Sequence, residues 1–140
     1  MAQLPDVVAE GFVCDALRPR ERTVVFRDAA LIASRGEPSI HTYHESDGFR
    51  SALRELAEPL DRQSETIAKF KVVGVESTAD SAKTTVYFAA RAVAPSSMFQ
   101  QNATWHCLWA LPADESAPRL KRIDVEAYVE VKTQETQGSL

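Results

Sequence analysis

The second half of the chain consists almost entirely of four long segments with β-strand character, separated by short polar links. The segments are rich in β-branched and aromatic residues. A small polar turn at residues 78–81, a Pro-Ser-Ser break at 95–97 and a loop bounded by two prolines at 112–118 separate them. Four strands joined by such links are predicted to form a consecutive antiparallel meander. The predicted strands are 67–77, 83–94, 98–111 and 119–131.

Alternation within these strands assigns side chains to two faces of the predicted sheet. In the third strand, Trp105, Cys107 and Trp109 share an apolar face, and His106 points the other way. An apolar sheet face must be covered, whereas the mixed face is free to meet solvent or a partner. In the fourth strand, one face is predicted to carry Ile123, Val125, Ala127, Val129 and Val131, and the other Asp124, Glu126, Tyr128 and Glu130.

An amphipathic helix upstream of the meander is predicted to cover the apolar face. Ser46 fits the N-cap of this helix, and Pro59 ends or kinks it at its last turn. The helix has about three turns, so it covers only part of the sheet. Its apolar positions recur at helical spacing, at Phe49, Ala52, Leu53, Leu56 and Leu60.

The first third of the chain carries weaker signals. The proline within residues 18–21 indicates the start of a short helix, and the apolar run 29–33 is predicted as a strand. Residues 6–14 fit either a strand or a helix, and both alternatives stay open. Residues 132–140 are predicted to be a polar, frayed tail, so that residues 1–131 form a single domain.

Composition argues against several classes of protein. Sixteen basic and twenty acidic residues give a net charge of −4, which argues against a nucleic-acid-binding domain. Two cysteines are too few for a disulfide scaffold or a four-cysteine zinc site; we expect both to be buried free thiols, and a Cys14–Cys107 disulfide stays open as the alternative. We see no signal peptide and no apolar run near the ~20 residues of a membrane helix. A soluble protein, cytoplasmic by default and without a membrane partner, is therefore expected.

The order of predicted elements resembles the SnoaL-like, nuclear-transport-factor-2-like superfamily. That order is a short helix, a short strand, an amphipathic helix and four long antiparallel strands. The phrases V-F-R-D-A-A-L-I at 25–32 and G-F-R-S-A-L-R-E-L at 48–56 are similar to two short phrases of that superfamily. The resemblance covers roughly residues 19–131, and the long N-terminal helix usual in the family is shortened or atypical here.

The resemblance implies an α+β fold with a pocket. A curved antiparallel sheet of four to six strands, cone-like in shape, would pack on one main amphipathic helix and one short helix. Many members of the family dimerise through the outer sheet face, so a homodimer through that face is expected. The base of ketosteroid isomerase, the best-known enzyme pattern on this fold, would fall at Ala33, which cannot accept a proton.

The resemblance therefore favours a non-catalytic module that binds a small apolar ligand or dimerises. The first alternative is an enzyme of the same superfamily, of isomerase, dehydratase or hydrolase type. The second is an accessory domain that docks a larger protein. No cofactor is expected for any of them.

The candidate site residues fall into two groups, each with a structural alternative. The aromatic wall around Trp105 suits a flat apolar ligand, although ordinary core packing is the preferred interpretation. Asp28 is either a pocket acid or the cap of a turn. The loop before the helix holds His41, Tyr43 and His44; a solvent-exposed loop is the preferred interpretation, and no metal spacing is recognised. The candidate pocket residues are Phe26, Asp28, Phe49, Leu53, Tyr87, Trp105, Cys107 and Trp109.

Two groups of basic residues are interpreted as solvent-exposed and not as binding sites. Arg18, Arg20 and Arg22 form a small cluster, interrupted by an acidic residue, that is interpreted as a solvated face. Arg91 shares a strand face with Tyr87 and could bind an anion, but a solvated cross-strand pair with a glutamate is preferred.

Overall fold

A computed structural model describes residues 7–37, 42–60, 65–114 and 116–133 of the chain. Its elements are β1 (Val8–Asp15), β2 (Arg22–Arg27), β3 (Leu31–Gly36), β4 (Thr42–His44), α1 (Glu45–Ala57), a 3-10 turn (Glu58–Leu60), β5 (Glu65–Ser77), β6 (Ser81–Ala94), β7 (Ser97–Ala110) and β8 (Arg119–Thr133). The fold is therefore a large sheet with one α-helix in the described residues.

All eight described strands belong to one sheet, with the order β2-β3-β8-β7-β6-β5 and with β1 pairing both β4 and β8. The predicted meander of four antiparallel strands is confirmed by the pairs β5–β6, β6–β7 and β7–β8. The predicted total of four to six strands is wrong, because the first half of the chain contributes four strands to the same sheet. The ambiguous residues 6–14 contain β1, which runs parallel to β8.

The amphipathic helix is confirmed, with small differences at its ends. His44, not Ser46, holds the N-cap position, and two acidic residues in the first turn suit the positive end of the helix dipole. The helix ends in the 3-10 turn that contains Pro59. At Gly48 an added Cβ would lie 2.9 Å from the backbone carbonyl carbon of Tyr43, so a glycine is needed where the helix folds back on β4.

The short helix predicted at residues 18–21 is wrong; this stretch contains bends that lead into β2. Arg18 in this stretch and Arg22 at the start of β2 both bind a buried carboxylate on β8, and such tertiary contacts override a weak local helix signal. The strand predicted at 29–33 lies slightly later, at β3, because Asp28 begins a turn. Strand β8 continues through Thr133, and the remainder of the predicted frayed tail lies outside the described residues.

Helix α1 packs on one side of the sheet, which we call the inner face. Phe88 on β6 and Trp105 on β7 are buried on this face together with Phe49 of α1. The buried amide of Gln101 donates a hydrogen bond from Nε2 to the Leu56 carbonyl oxygen at 2.9 Å, which ties α1 to β7. The alternation predicted for the third strand is confirmed by this burial.

The predicted alternation fails in β8 at Ala127. This alanine has a φ of 56°, and the β7–β8 register shifts by one residue between Asn102 and Thr104. A β-bulge places one extra residue in a strand and reverses the assignment of every later side chain. Tyr128 and Glu130 are consequently buried on the inner face, and the prediction that they share the outer face with Glu126 is wrong.

Because a left-handed backbone conformation costs an alanine about 1–2 kcal/mol, Ala127→Gly is expected to stabilise the protein. We expect the free energy of unfolding, measured by urea denaturation, to rise by about 0.5–1 kcal/mol. The matched control is Ala89→Gly in the middle of β6, where φ is not positive and glycine should cost roughly 0.5–1 kcal/mol. Equal losses in both variants would contradict the bulge.

Candidate functional site

A cavity of about 300 Å³ lies where β2, β3 and β8 continue the inner face beyond the apolar core. The register shows this placement, because Glu130 is opposite both Gln101 of β7 and Ser34 of β3. Five cationic side chains and one carboxylate line the cavity, which we call the arginine cavity. Its lining residues are Arg18, Arg20, Arg22, Val24, Arg27, Ile32, Ser34, Glu130 and Lys132.

Glu130 is the anchor of the cavity floor, and its side chain is only 7% exposed. Arg18 donates two hydrogen bonds to the carboxylate, from Nε to Oε1 at 3.0 Å and from Nη2 to Oε2 at 3.2 Å. The Tyr128 hydroxyl donates a third at 2.8 Å. Arg22 adds an ion pair, with Nε 3.6 Å from Oε2, and also donates to the carbonyl oxygen of Pro19 at 2.6 Å.

These contacts decide the protonation state of the carboxylate. Burial alone would raise the pKa of Glu130, but the hydrogen bonds from Arg18 and Tyr128 and the charges of Arg18 and Arg22 outweigh it, so its pKa lies below the ordinary value. Burial and the adjacent negative charge of Glu130 raise the pKa of Tyr128. Glu130 is therefore an ionised structural group whose lone pairs are largely occupied, which is a poor arrangement for a general base.

The rim of the cavity is tied to the helix through Arg20. Its Nη2 lies 3.3 Å from the Tyr43 hydroxyl and 3.4 Å from Oε2 of Glu55. The Tyr43 hydroxyl in turn donates to Oε1 of Glu55 at 2.5 Å. Burial and the carboxylate of Glu55 raise the pKa of Tyr43. Tyr43 therefore acts as a connector between β4, α1 and the cavity rim.

Arg18, Arg20 and Arg22 are each held by an acidic side chain. Among the residues that the structure describes, the other two cations of the cavity are not. Within the described part of the chain, no acidic side chain makes an ion pair with Arg27 or Lys132. They lie on the inner face together with the hydroxyl-bearing Ser34, because Arg27 and Lys132 are both opposite Ile32 on β3. Unpaired cations around a cavity attract a ligand that carries negative charge.

A larger cavity, of about 420 Å³, lies on the outer face between β5 and β8. Its charges are of both signs, and some already pair with each other: Nε of Arg122 lies 2.7 Å from Oδ1 of Asp124. His106, at the same place, binds Oε1 of Glu126 at 2.7 Å. The outer cavity therefore lacks the excess of one charge that distinguishes the arginine cavity.

The predicted aromatic wall belongs to the packed core. The rings of Phe88 and Trp105 stack with centroids 5.0 Å apart, and Phe70 packs against both. Phe49 and Cys107 are members of the same buried cluster, and Leu53 and Trp109 pack against it. This burial agrees with the preferred interpretation, ordinary core packing.

The remaining pocket candidates are dispersed over the surface. Asp28 caps a turn, because its Oδ1 accepts hydrogen bonds from the amides of Ala30 and Leu31 at 2.7 and 2.8 Å. Phe26 and Tyr87 are each about half exposed, on β2 and β6. Neither they nor Asp28 line any of the four cavities described.

The predicted site residues of the loop before the helix also lie in different environments. Tyr43 takes part in the rim contact with Arg20, whereas His44 is exposed at the helix N-cap. His41 lies outside the described residues. Among residues that the structure does describe, no group of three His, Cys, Asp or Glu side chains is arranged to hold a metal ion.

Sequence reasoning missed the arginine cavity for two reasons. The sequence interpretation places Arg18, Arg20 and Arg22 on a solvated face, although their spacing of two is the signal that an extended chain puts them on one side. Regular alternation predicts Glu130 on the outer face, because nothing in the sequence marks the bulge at Ala127. The sequence pattern therefore does not connect the basic cluster with its acidic partner.

Searches for similar proteins find no match among family models, curated proteins or solved structures. The helices in the described residues also lack the length and apolar character that a membrane crossing requires. The chemistry of the arginine cavity is thus the basis for a functional assignment.

Replacing Glu130 with glutamine is expected to change the response of stability to acid. A carboxyl whose pKa is lowered by folding stabilises the protein above its unfolded pKa, and this contribution disappears as pH falls through the folded value. Below the ordinary value of 4.5 the free energy of unfolding of the native protein should fall more steeply than that of Glu130→Gln. At neutral pH the variant should lose about 2–4 kcal/mol, because two arginines lose their partner.

The measurement is urea denaturation between about pH 3 and pH 7, the range that brackets carboxyl titration. Asp114→Asn is a suitable control, since this exposed carboxyl also has a lowered pKa but binds Ser116 far from the cavity. Parallel pH curves for the native protein and Glu130→Gln would contradict the role assigned to Glu130.

Both cysteines are expected to resist thiol reagents in the folded protein. Cys14 and Cys107 are buried and free, burial raises the pKa of Cys14 to about 12, and burial also raises that of Cys107. We expect negligible labelling at about pH 8 and complete labelling of both thiols in concentrated guanidinium chloride. Rapid labelling of the native protein would contradict the described burial.

Proposed function

We propose that this protein is a non-catalytic binding module that holds a small anionic ligand, a carboxylate or a phosphate, in the arginine cavity. One observation carries the proposal: five cations and a single, already occupied carboxylate surround a cavity of about 300 Å³. Cavities of this size accommodate small molecules. The cationic lining also contrasts with the whole chain, whose net charge is −4.

Three steps lead from the geometry to this class of ligand. Glu130 first orders Arg18 and Arg22, so that the cavity floor is preorganised and does not collapse around mobile side chains. Arg27 and Lys132 then supply positive charge that the described residues do not neutralise. Ser34 finally offers a hydroxyl that donates to an anionic oxygen.

Binding is favoured over catalysis because the described lining residues include no histidine or cysteine, and their one carboxylate is already occupied by hydrogen bonds. Arginine stays protonated at all physiological pH values, and the only lining carboxylate has a lowered pKa. The candidate acid Asp28 caps a turn instead. An enzyme of isomerase, dehydratase or hydrolase type therefore has no supporting observation in the described residues.

We further propose that the module is a divergent, SnoaL-like domain with a cone-like sheet. The supporting observations are the amphipathic helix between a short strand and four long antiparallel strands, and a cavity on the helix-bearing face. The atypical N-terminus suits the finding that β1 occupies residues where the family has a helix. An anionic ligand replaces the apolar one that the resemblance implies, because the aromatic wall is packed.

The direct test is calorimetric titration of the protein with inorganic phosphate and with citrate, which separate the two anion chemistries. Arg27→Ala and Lys132→Ala should each weaken binding about tenfold, since each removes one charge-assisted contact. Added salt should also weaken binding through screening.

Arg91→Ala is the matched control, because this exposed arginine lies on the outer face beside a different cavity. Its removal should leave anion affinity unchanged. If neither anion binds at millimolar concentration, or if Arg91→Ala weakens binding as much as Arg27→Ala, the proposed function is wrong.

A further inference from the structure

Exposed apolar side chains concentrate on β5, at one edge of the sheet. Every residue of this 13-residue strand is exposed except the half-buried Gly74. Single exposed apolar side chains are ordinary, but a contiguous set is typical of an interaction surface. The large apolar residues on β5 are between 42% and 64% exposed: Ile67, Phe70, Val72, Val73 and Val75.

The open edge of β5 restricts what can bind there. On one side β5 pairs with β6, and no strand in the described ranges pairs with its other side. An edge of this length presents a row of backbone donors and acceptors, which is a template for pairing with another extended strand. A protein that pairs with this edge therefore supplies a strand with apolar side chains.

The outer face offers a poorer surface for the homodimer that the sequence predicts. Its middle carries the pairs His106–Glu126 and Arg122–Asp124. Charged side chains are depleted at the centres of protein interfaces because their desolvation is costly. The apolar edge strand is the better place for a second copy to bind.

A bulge at Val73 makes β5 complementary to itself. The β5–β6 register shifts between Val72 and Gly74. Side chains on the inner face consequently change from even to odd numbers at this point, so Val72 and Val75 both lie on that face. Lys71, opposite Tyr87, and Glu76, opposite Lys83, both lie on the outer face.

One antiparallel register between two copies of β5 pairs both the charged residues of the outer face and the valines of the inner face. If Lys71 lies opposite Glu76 of a second copy, the two-fold axis produces this ion pair twice on the outer face. The same register places Val72 opposite Val75 twice on the inner face, next to the exposed ring of Phe70. Registers centred on Phe70 or on Lys71 instead place lysine opposite lysine, and like charges directly opposite are destabilising.

We propose that two copies of this chain associate through antiparallel pairing of β5 with β5, with Lys71 opposite Glu76. Such an interface is isologous and closes as a dimer. It continues the sheet from one copy into the other and covers the apolar residues of the edge. The arginine cavity lies at the opposite end of the sheet, beside β2, so dimerisation leaves it open.

Charge reversal tests both the interface and its register. Lys71→Glu and Glu76→Lys should each raise the dimer dissociation constant about tenfold or more, because two attractive pairs become two repulsive ones. The double variant restores opposite charges and should return to near the native constant. Sedimentation velocity over a range of protein concentrations measures all four proteins.

Lys69→Glu is the matched control. It makes the same charge change on the same face of the same strand, but in this register it lies beyond Ser77 of the second copy and opposes no charged residue. Its dissociation constant should stay within about twofold of the native value. All these positions are exposed, so circular dichroism should show that each variant remains folded.

Each alternative outcome overturns the proposal. A native protein that is monomeric at about 100 μM has no stable interface of this kind. If neither single charge reversal changes the dimer dissociation constant, the dimer forms through another surface, such as the outer face. Single reversals that weaken the dimer without recovery in the double variant, or an equal loss in Lys69→Glu, exclude the Lys71–Glu76 register.

Discussion

The buried carboxylate of Glu130 is the constraint on which the described site depends. An isolated carboxylate is costly to bury, so it must be paired and hydrogen-bonded. Arg18, Arg22 and Tyr128 together meet that requirement. The pairing holds the segment after β1 against β8, the strand with which β1 already pairs. It explains why residues 18–22 are bent and extended instead of helical.

This arrangement exists only because β8 bulges at Ala127. Without the extra residue, Glu130 would lie on the outer face and Val129 would take its place inside. The left-handed backbone at Ala127 is therefore a local cost that converts a sheet face from apolar core into a charged cavity. The same face thus has two properties: an aromatic cluster around Trp105 at one end and arginines at the other.

Bulges have a second consequence at the far edge of the sheet. In β5 the shift at Val73 brings Val72 and Val75 to one face and Lys71 and Glu76 to the other. A regular strand would place these residues differently and would not be self-complementary in charge. The two proposals thus rest on separate bulges, one in β8 inside the sheet and one in the edge strand β5, and each is open to its own experiment.

Much of the fold was determined by the sequence alone. Period-two patterning defined the four-stranded meander and the buried faces of β6 and β7, and apolar residues at helical spacing defined the helix that covers them, since such patterns reflect burial directly. The strand count, the bulge at Ala127 and the partners of Arg18 and Glu130 were decided only by tertiary structure. Arg18 and Glu130 are 112 positions apart in the sequence, and a positive φ at an alanine leaves no compositional trace. The physical reason is that the local hydrophobic pattern depends on which side chains avoid water. Which charged side chains pair depends instead on the register between strands.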